Sequence, residues 1–78
     1  KNIAEFKEQI YPNPAYDIIN FNAEFIEIIR ITDIAGKEIK LEIYNNSIDV
    51  SDLNKGVYFV VFRNKNTNER TLWKFIKE

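Results

Sequence analysis

Seventy-eight residues leave room for one hydrophobic core and no second domain, because a chain of this size buries only about 60% of its unfolded surface. Histidine, cysteine and methionine are absent, which removes disulfides, the usual ligands of zinc and copper, and the side chain most often used as a base near neutral pH. Lys plus Arg is 11, Asp plus Glu is 12 and the net charge is −1, with the signs interspersed; this speaks against a basic stripe for nucleic acid, and no apolar run approaches the ~20 residues that cross a bilayer.

Apolar and polar residues alternate over short stretches separated by Asn, Asp, Gly and Pro, the period of half-buried strands. Seven strands are expected. The first covers Ala4 to Ile10; the start, Lys1-Asn2-Ile3-Ala4-Glu5, lacks the apolar centre of a signal peptide. Pro12-Asn13-Pro14 ends it, since two residues have no N–H for a ladder and Asn13, preceding a proline, is pushed toward extended or polyproline conformation. Tyr16 to Phe21 is the second strand. Phe25 to Thr32 is the third, apolar on both faces and therefore expected inside a sheet. Asp33-Ile34-Ala35-Gly36-Lys37 reads as a tight hairpin, with the Asp33 carboxylate accepting from backbone N–H groups just ahead and Gly36 taking positive φ.

Lys37 to Ile43 has the clearest alternation of all: Ile39, Leu41 and Ile43 on one face, Glu38, Lys40 and Glu42 on the other. After the turn-forming Asn45-Asn46 comes a short fifth strand, Ser47 to Val50. Asp49, Ser51 and Asp52 are the best oxygen cluster in the chain, but the spacing of a calcium loop is missing. Asp49 or Ser51 is expected to cap a single helical turn ending at Gly56. In Leu53-Asn54-Lys55-Gly56-Val57-Tyr58 a leucine, a glycine turn and a strand-opening tyrosine have the form of a tyrosine corner, with the Tyr58 hydroxyl bonded to the loop before it.

Val57 to Phe62 is a central strand by composition, and Asn64 to Asn68 an exposed loop. The last strand, Arg70 to Lys77, is apolar in both parities. Trp73 and Phe75 are assigned inward as the larger burial, leaving Leu72 and Ile76, beside Lys74 and Lys77, as a strip facing a partner. Short connections, with no helix long enough for a crossover, favour antiparallel pairing in a two-sheet sandwich, with a small barrel as the second arrangement. Ser47 and Ser51 have no histidine to activate them, and Asp17, Glu27 and Asp33 fall on separate turns or strands. No catalytic residue, cofactor or metal is expected.

Taken in order, Tyr11-Pro12-Asn13-Pro14-Ala15, Asp33-x-x-Gly36-Lys37, Ile48-Asp49-Val50-Ser51-x-Leu53, Gly56-x-Tyr58 and Lys74-Phe75-Ile76-Lys77 resemble the type A C-terminal sorting domain of the type IX secretion system. Each motif alone is generic, but their order and spacing from about Ile10 to Lys77 are specific. The resemblance implies an immunoglobulin-like antiparallel β-sandwich of about seven strands. It implies that residues 1–78 form one domain at the C-terminal end of a larger Bacteroidetes protein. That cargo folds in the periplasm and is carried across the outer membrane to the cell surface or the medium. The implied partners are the outer-membrane secretion machinery, its signal peptidase, which removes the domain, and the N-terminal cargo itself, with the domain a monomer.

On this view Pro12, Asn13, Pro14, Asp33, Gly36, Lys37, Leu53, Gly56 and Tyr58 build the recognised shape, while Leu72, Lys74, Ile76 and Lys77 are the candidate contacts of the exporter. The competing reading is an immunoglobulin-like spacer, adhesion or carbohydrate-binding module. Its sugar-binding form needs stacked aromatic platforms, and Tyr11, Tyr16, Tyr44 and Trp73 are scattered along the chain.

Overall fold

The computed structural model describes residues 9–78, and every regular element in it is a β-strand. Strands β1 (Ile10–Tyr11), β2 (Ile18–Phe21) and β4 (Ser47–Asp49) form one antiparallel sheet in the order β1-β2-β4. Strands β3 (Ile26–Asp33), β5 (Gly56–Asn64) and β6 (Arg70–Lys77) form the other, in the order β3-β5-β6. Their inner faces enclose a single core. The smaller sheet gives it Ile10, Ile19, Phe21 and Ile48; the larger gives it Ile26, Ile31, Val60, Phe62 and Phe75. The expected sandwich is present, with six strands where seven were predicted. Of the first predicted strand only Ile10 lies in a described strand; residues 4–8 lie outside the described residues.

Lys37 to Ile43, the clearest strand by alternation, forms no strand. The alternation holds only in part: Ile39 and Leu41 pack against the core and Glu38, Lys40 and Glu42 are exposed, but Ile43, expected on the dry face, is 47% exposed. What fails is the ladder. At its start the segment bonds to β3, the Asp33 N–H donating to the Lys37 carbonyl and the Ile39 N–H to the Ile31 carbonyl. At its end it bonds to β4, the Asp49 N–H donating to the Glu42 carbonyl and the Tyr44 N–H to the Ser47 carbonyl. The segment crosses from one sheet to the other, so neither ladder continues through Lys40 and Leu41.

The second correction concerns β3, predicted to be internal. Its ladder partner is β5 alone, with a single bridge, Thr32 to Glu38, on its other side. Its apolar residues on both parities come from a bulge between Ile28 and Arg30. The extra residue, Ile29, reverses the parity, so that Ile26, Ile28 and Ile31 all face inward and Arg30 faces out opposite Val61. β5 is central, as predicted.

The turns follow their local chemistry. The Asp33 carboxylate accepts from the Ala35 and Lys37 N–H groups at 2.9 Å each, and Gly36 has φ 88°, where a side chain would be strained. In the loop before β6 the Asn64 side chain accepts from the N–H of Asn66 at 2.8 Å, and Asn68 takes φ 65°. Strands β3 and β6 run toward one end of the sandwich and β5 starts there, with Asp33 paired to Tyr58 and Gly56 to Lys77. That end carries most of the singled-out residues.

Candidate functional site

Between β1 and β2 the chain must turn without two N–H groups, and Asn13 supplies the missing hydrogen bonding from its side chain. Its Nδ2 donates to the Lys74 carbonyl at 3.0 Å, and the Ile76 N–H donates to its Oδ1 at 3.0 Å. The amide thus takes the place of a peptide group beside β6, presenting one donor and one acceptor as only a carboxamide does. Ala15 continues the pairing. Its N–H donates to the Ile76 carbonyl at 2.8 Å and its carbonyl accepts from the Glu78 N–H at 2.9 Å, a parallel bridge to Lys77. Together they seal the free edge of β6 from Lys74 to Glu78. Both prolines follow cis peptide bonds.

The inner side of the same end is built from β5 and β6. The Tyr58 hydroxyl donates to the Asn54 carbonyl at 2.8 Å, which is the tyrosine corner expected from the sequence. Its ring stacks on Phe75 and Phe75 on Trp73, with centroids 5.6 Å apart in each pair. Gly56 has φ 154°, a conformation costly for any residue with a Cβ.

Lys77 corrects a prediction. It was assigned to the partner-facing strip, but it shares the parity of Trp73 and Phe75 and is only 6% exposed. Its stem lies along the sandwich interior and Nζ donates to the Leu53 carbonyl at 2.9 Å, which satisfies the buried ammonium. The other three members of the strip face outward: Leu72 is 62% and Ile76 41% exposed, with Lys74 exposed between them.

Pro12, Asn13, Pro14, Leu53, Gly56, Tyr58 and Lys77 therefore meet at one end of the fold, with Asp33 one strand away through Tyr58. The loop of Gly36 and Lys37 extends from Asp33 at that end. Two participants stood within the quoted motifs but were given no role of their own. Ala15 is fully buried, and its signal is a small residue directly after the second proline. Asn54 acts through its carbonyl, so no side chain advertises it.

Asp49 makes a turn, as a cap would. Its Oδ1 accepts from the Ser51 N–H at 3.0 Å and from the Ser51 hydroxyl at 2.6 Å, and the Leu53 N–H closes on the Val50 carbonyl. The Ser51 hydroxyl, and then its N–H, hold the Asp49 carboxyl below the ordinary aspartate range. The segment is a turn and not a helical turn. Among the described residues no group of three or more acidic side chains is placed to hold a metal ion.

An open cleft of about 490 Å³ lies at the other end of the sandwich, lined by Tyr11, Phe21, Asn22, Ala23, Glu24, Asn45 and Asn46. Its one carboxylate, Glu24, has no second titratable acid or base beside it in the lining except the Tyr11 phenol.

A family model described as a secretion system C-terminal sorting domain matches residues 9–78. No curated protein and no solved structure matches the chain.

Proposed function

Because the chain belongs to the secretion-system C-terminal sorting domain family, which marks proteins for export across the outer membrane by the type IX system to the cell surface or the medium, we propose that it is recognised as a folded sandwich. In this reading residues 1–78 are one domain attached to an N-terminal cargo. The outer-membrane machinery contacts the strip of Leu72, Lys74 and Ile76, and the system's signal peptidase removes the domain after passage. The family is not a class of enzymes, and the domain acts by being bound.

One observation carries the reading: the motif residues converge on the end where β6 is locked, while Gln9 enters at the opposite end, its carbonyl accepting from the Asn22 N–H at 2.8 Å. The described chain thus begins at the end away from the locked one. Pro12, Asn13, Pro14, Asp33, Gly36, Leu53, Gly56, Tyr58 and Lys77 then serve recognition by fixing the shape and register of the strand that is read.

The test is a reporter fused ahead of residues 1–78 in a host that possesses the system. The expected result is reporter at the surface or in the medium, with the domain removed. Reporter that stays in the periplasm overturns the sorting reading, and reporter delivered with the domain still attached overturns the cleavage.

A further inference from the structure

The outer face of the β3-β5-β6 sheet is not the polar face of an ordinary half-wet sheet. Across it, Val57 pairs with Ile76 and Val61 with Leu72, and Phe59 stands between them beside Lys74. None of these five apolar residues packs against the core. They form a continuous patch on the outside of the central and closing strands, with Leu72 and Ile76 its most exposed members.

Cations outnumber carboxylates around the patch. Arg30, Arg63, Arg70 and Lys74 share this face by register, against two carboxylates, Glu27 and, through its bridge to Thr32, Glu38, which lies 3.7 Å from the Lys40 ammonium. Glu27 is taken up by Arg63, whose Nη2 lies 2.6 Å from its Oε1. Arg30, Arg70 and Lys74 form no ion pair among the described residues. The whole chain has net charge −1, so the cations on this face are not a reflection of the overall composition.

We propose that the outer face of the larger sheet, centred on Phe59, docks a protein surface that offers apolar side chains among carboxylates. This takes the sorting reading as its premise and names the surface, wider than the closing strand, and the chemistry of the component that reads it. A second copy of the chain would set cations against cations. A bilayer would meet Lys74 in the middle of the patch, directly beside Phe59, where insertion of the ring drags an ammonium toward hydrocarbon. A protein partner meets the same ammonium with a carboxylate while its apolar groups cover Val57, Val61 and Leu72.

The experiment uses the reporter fusion in the same host, with Leu72→Asp and with the pair Arg30→Glu and Lys74→Glu, each checked for unchanged melting as the isolated chain. Failure of the unsubstituted fusion to reach the surface defeats the sorting premise. Given its delivery, each variant should lower surface reporter by about tenfold or more, the effect of losing one anchor of an interface. Ile43→Asp, an exposed apolar residue outside this sheet, should have no effect. Should the double acidic variant fail to fold, Arg30→Gln with Lys74→Gln removes the charges without adding repulsion and carries the same expectation. Delivery of the face variants at the unsubstituted level overturns the proposal. So does co-sedimentation of the chain with phosphatidylglycerol vesicles that Arg30→Glu and Lys74→Glu abolish, or dimerisation in sedimentation velocity that Leu72→Asp abolishes.

Discussion

Replacing Asn13 by Ala removes the side chain that stands in for a strand beside β6. Two hydrogen bonds are lost, one to the Lys74 carbonyl and one from the Ile76 N–H, each 3.0 Å long. A typical net hydrogen bond contributes about 0.5–1.5 kcal/mol, and both of these are exposed enough for water to take over in part, so the loss should be about 1–2 kcal/mol. For a domain of this size that lowers Tm by roughly 5–15 °C. Urea denaturation should show a lower midpoint with an unchanged slope, since the surface exposed on unfolding is the same. Amide exchange gives the sharper measurement. The Ile76 N–H should lose protection in Asn13→Ala and keep it in Asn13→Asp, which retains the acceptor while losing the donor to Lys74. An Ile76 amide that exchanges equally slowly in Asn13→Ala, with an unchanged midpoint, would refute the account of this edge.

Two further substitutions probe the same end. Tyr58→Phe removes the 2.8 Å bond to the Asn54 carbonyl while keeping the ring stacked on Phe75, and should cost about 1 kcal/mol in chemical denaturation; no change would mean that the corner contributes only packing. Asp49 has a depressed pKa in the folded chain, so its contribution is fully present above the ordinary aspartate range and is lost as pH falls through the folded value. The stability difference between the unsubstituted chain and Asp49→Ala should accordingly be constant at neutral pH and close on acidification below that range; a difference unchanged into strong acid would show that the Ser51 bonds do not depend on the charge.

The parts of this fold that were legible in the sequence are those decided within a few residues. Asp33 and Asn64 bond to N–H groups two to four positions ahead, so their turns are written locally. The bounds and parity of β6 were also legible, because Trp73 and Phe75 outweigh Leu72 and Ile76 in apolar area. Lys37 to Ile43 was misread because alternation reports which side chains are buried and says nothing about which strand accepts the backbone. At β3 a bulge imitates a strand with two dry faces, and only its register with β5 separates the cases. Lys77 was misplaced since a charged residue at an inward position is readable only once a carbonyl such as that of Leu53 is seen to receive it. The Asn13 clamp acts across 61 to 63 positions of sequence, a distance over which no local pattern carries information.

These long-range contacts bear on what the closing strand can present. Side chains in a strand alternate between faces, so a slip of one residue in the pairing of β6 with β5 would turn Leu72, Lys74 and Ile76 inward and expose Trp73 and Phe75. The apolar content of both parities makes such a slip cheaper than in an ordinary strand, and hydrophobicity alone pins the register weakly. Three contacts outside the ladder pin it instead: the Asn13 carboxamide on Lys74 and Ile76, Ala15 on Ile76 and Glu78, and the Lys77 ammonium on the Leu53 carbonyl. They require two different parts of the chain to be in place, the turn before β2 for the first two and the loop before β5 for the third. The outward strip is thus complete only when the sandwich has assembled around it. On the proposed reading, an exporter that binds this strip would bind the folded domain in preference to an unfolded or slipped one, and motifs far apart in sequence would contribute to recognition without touching the partner.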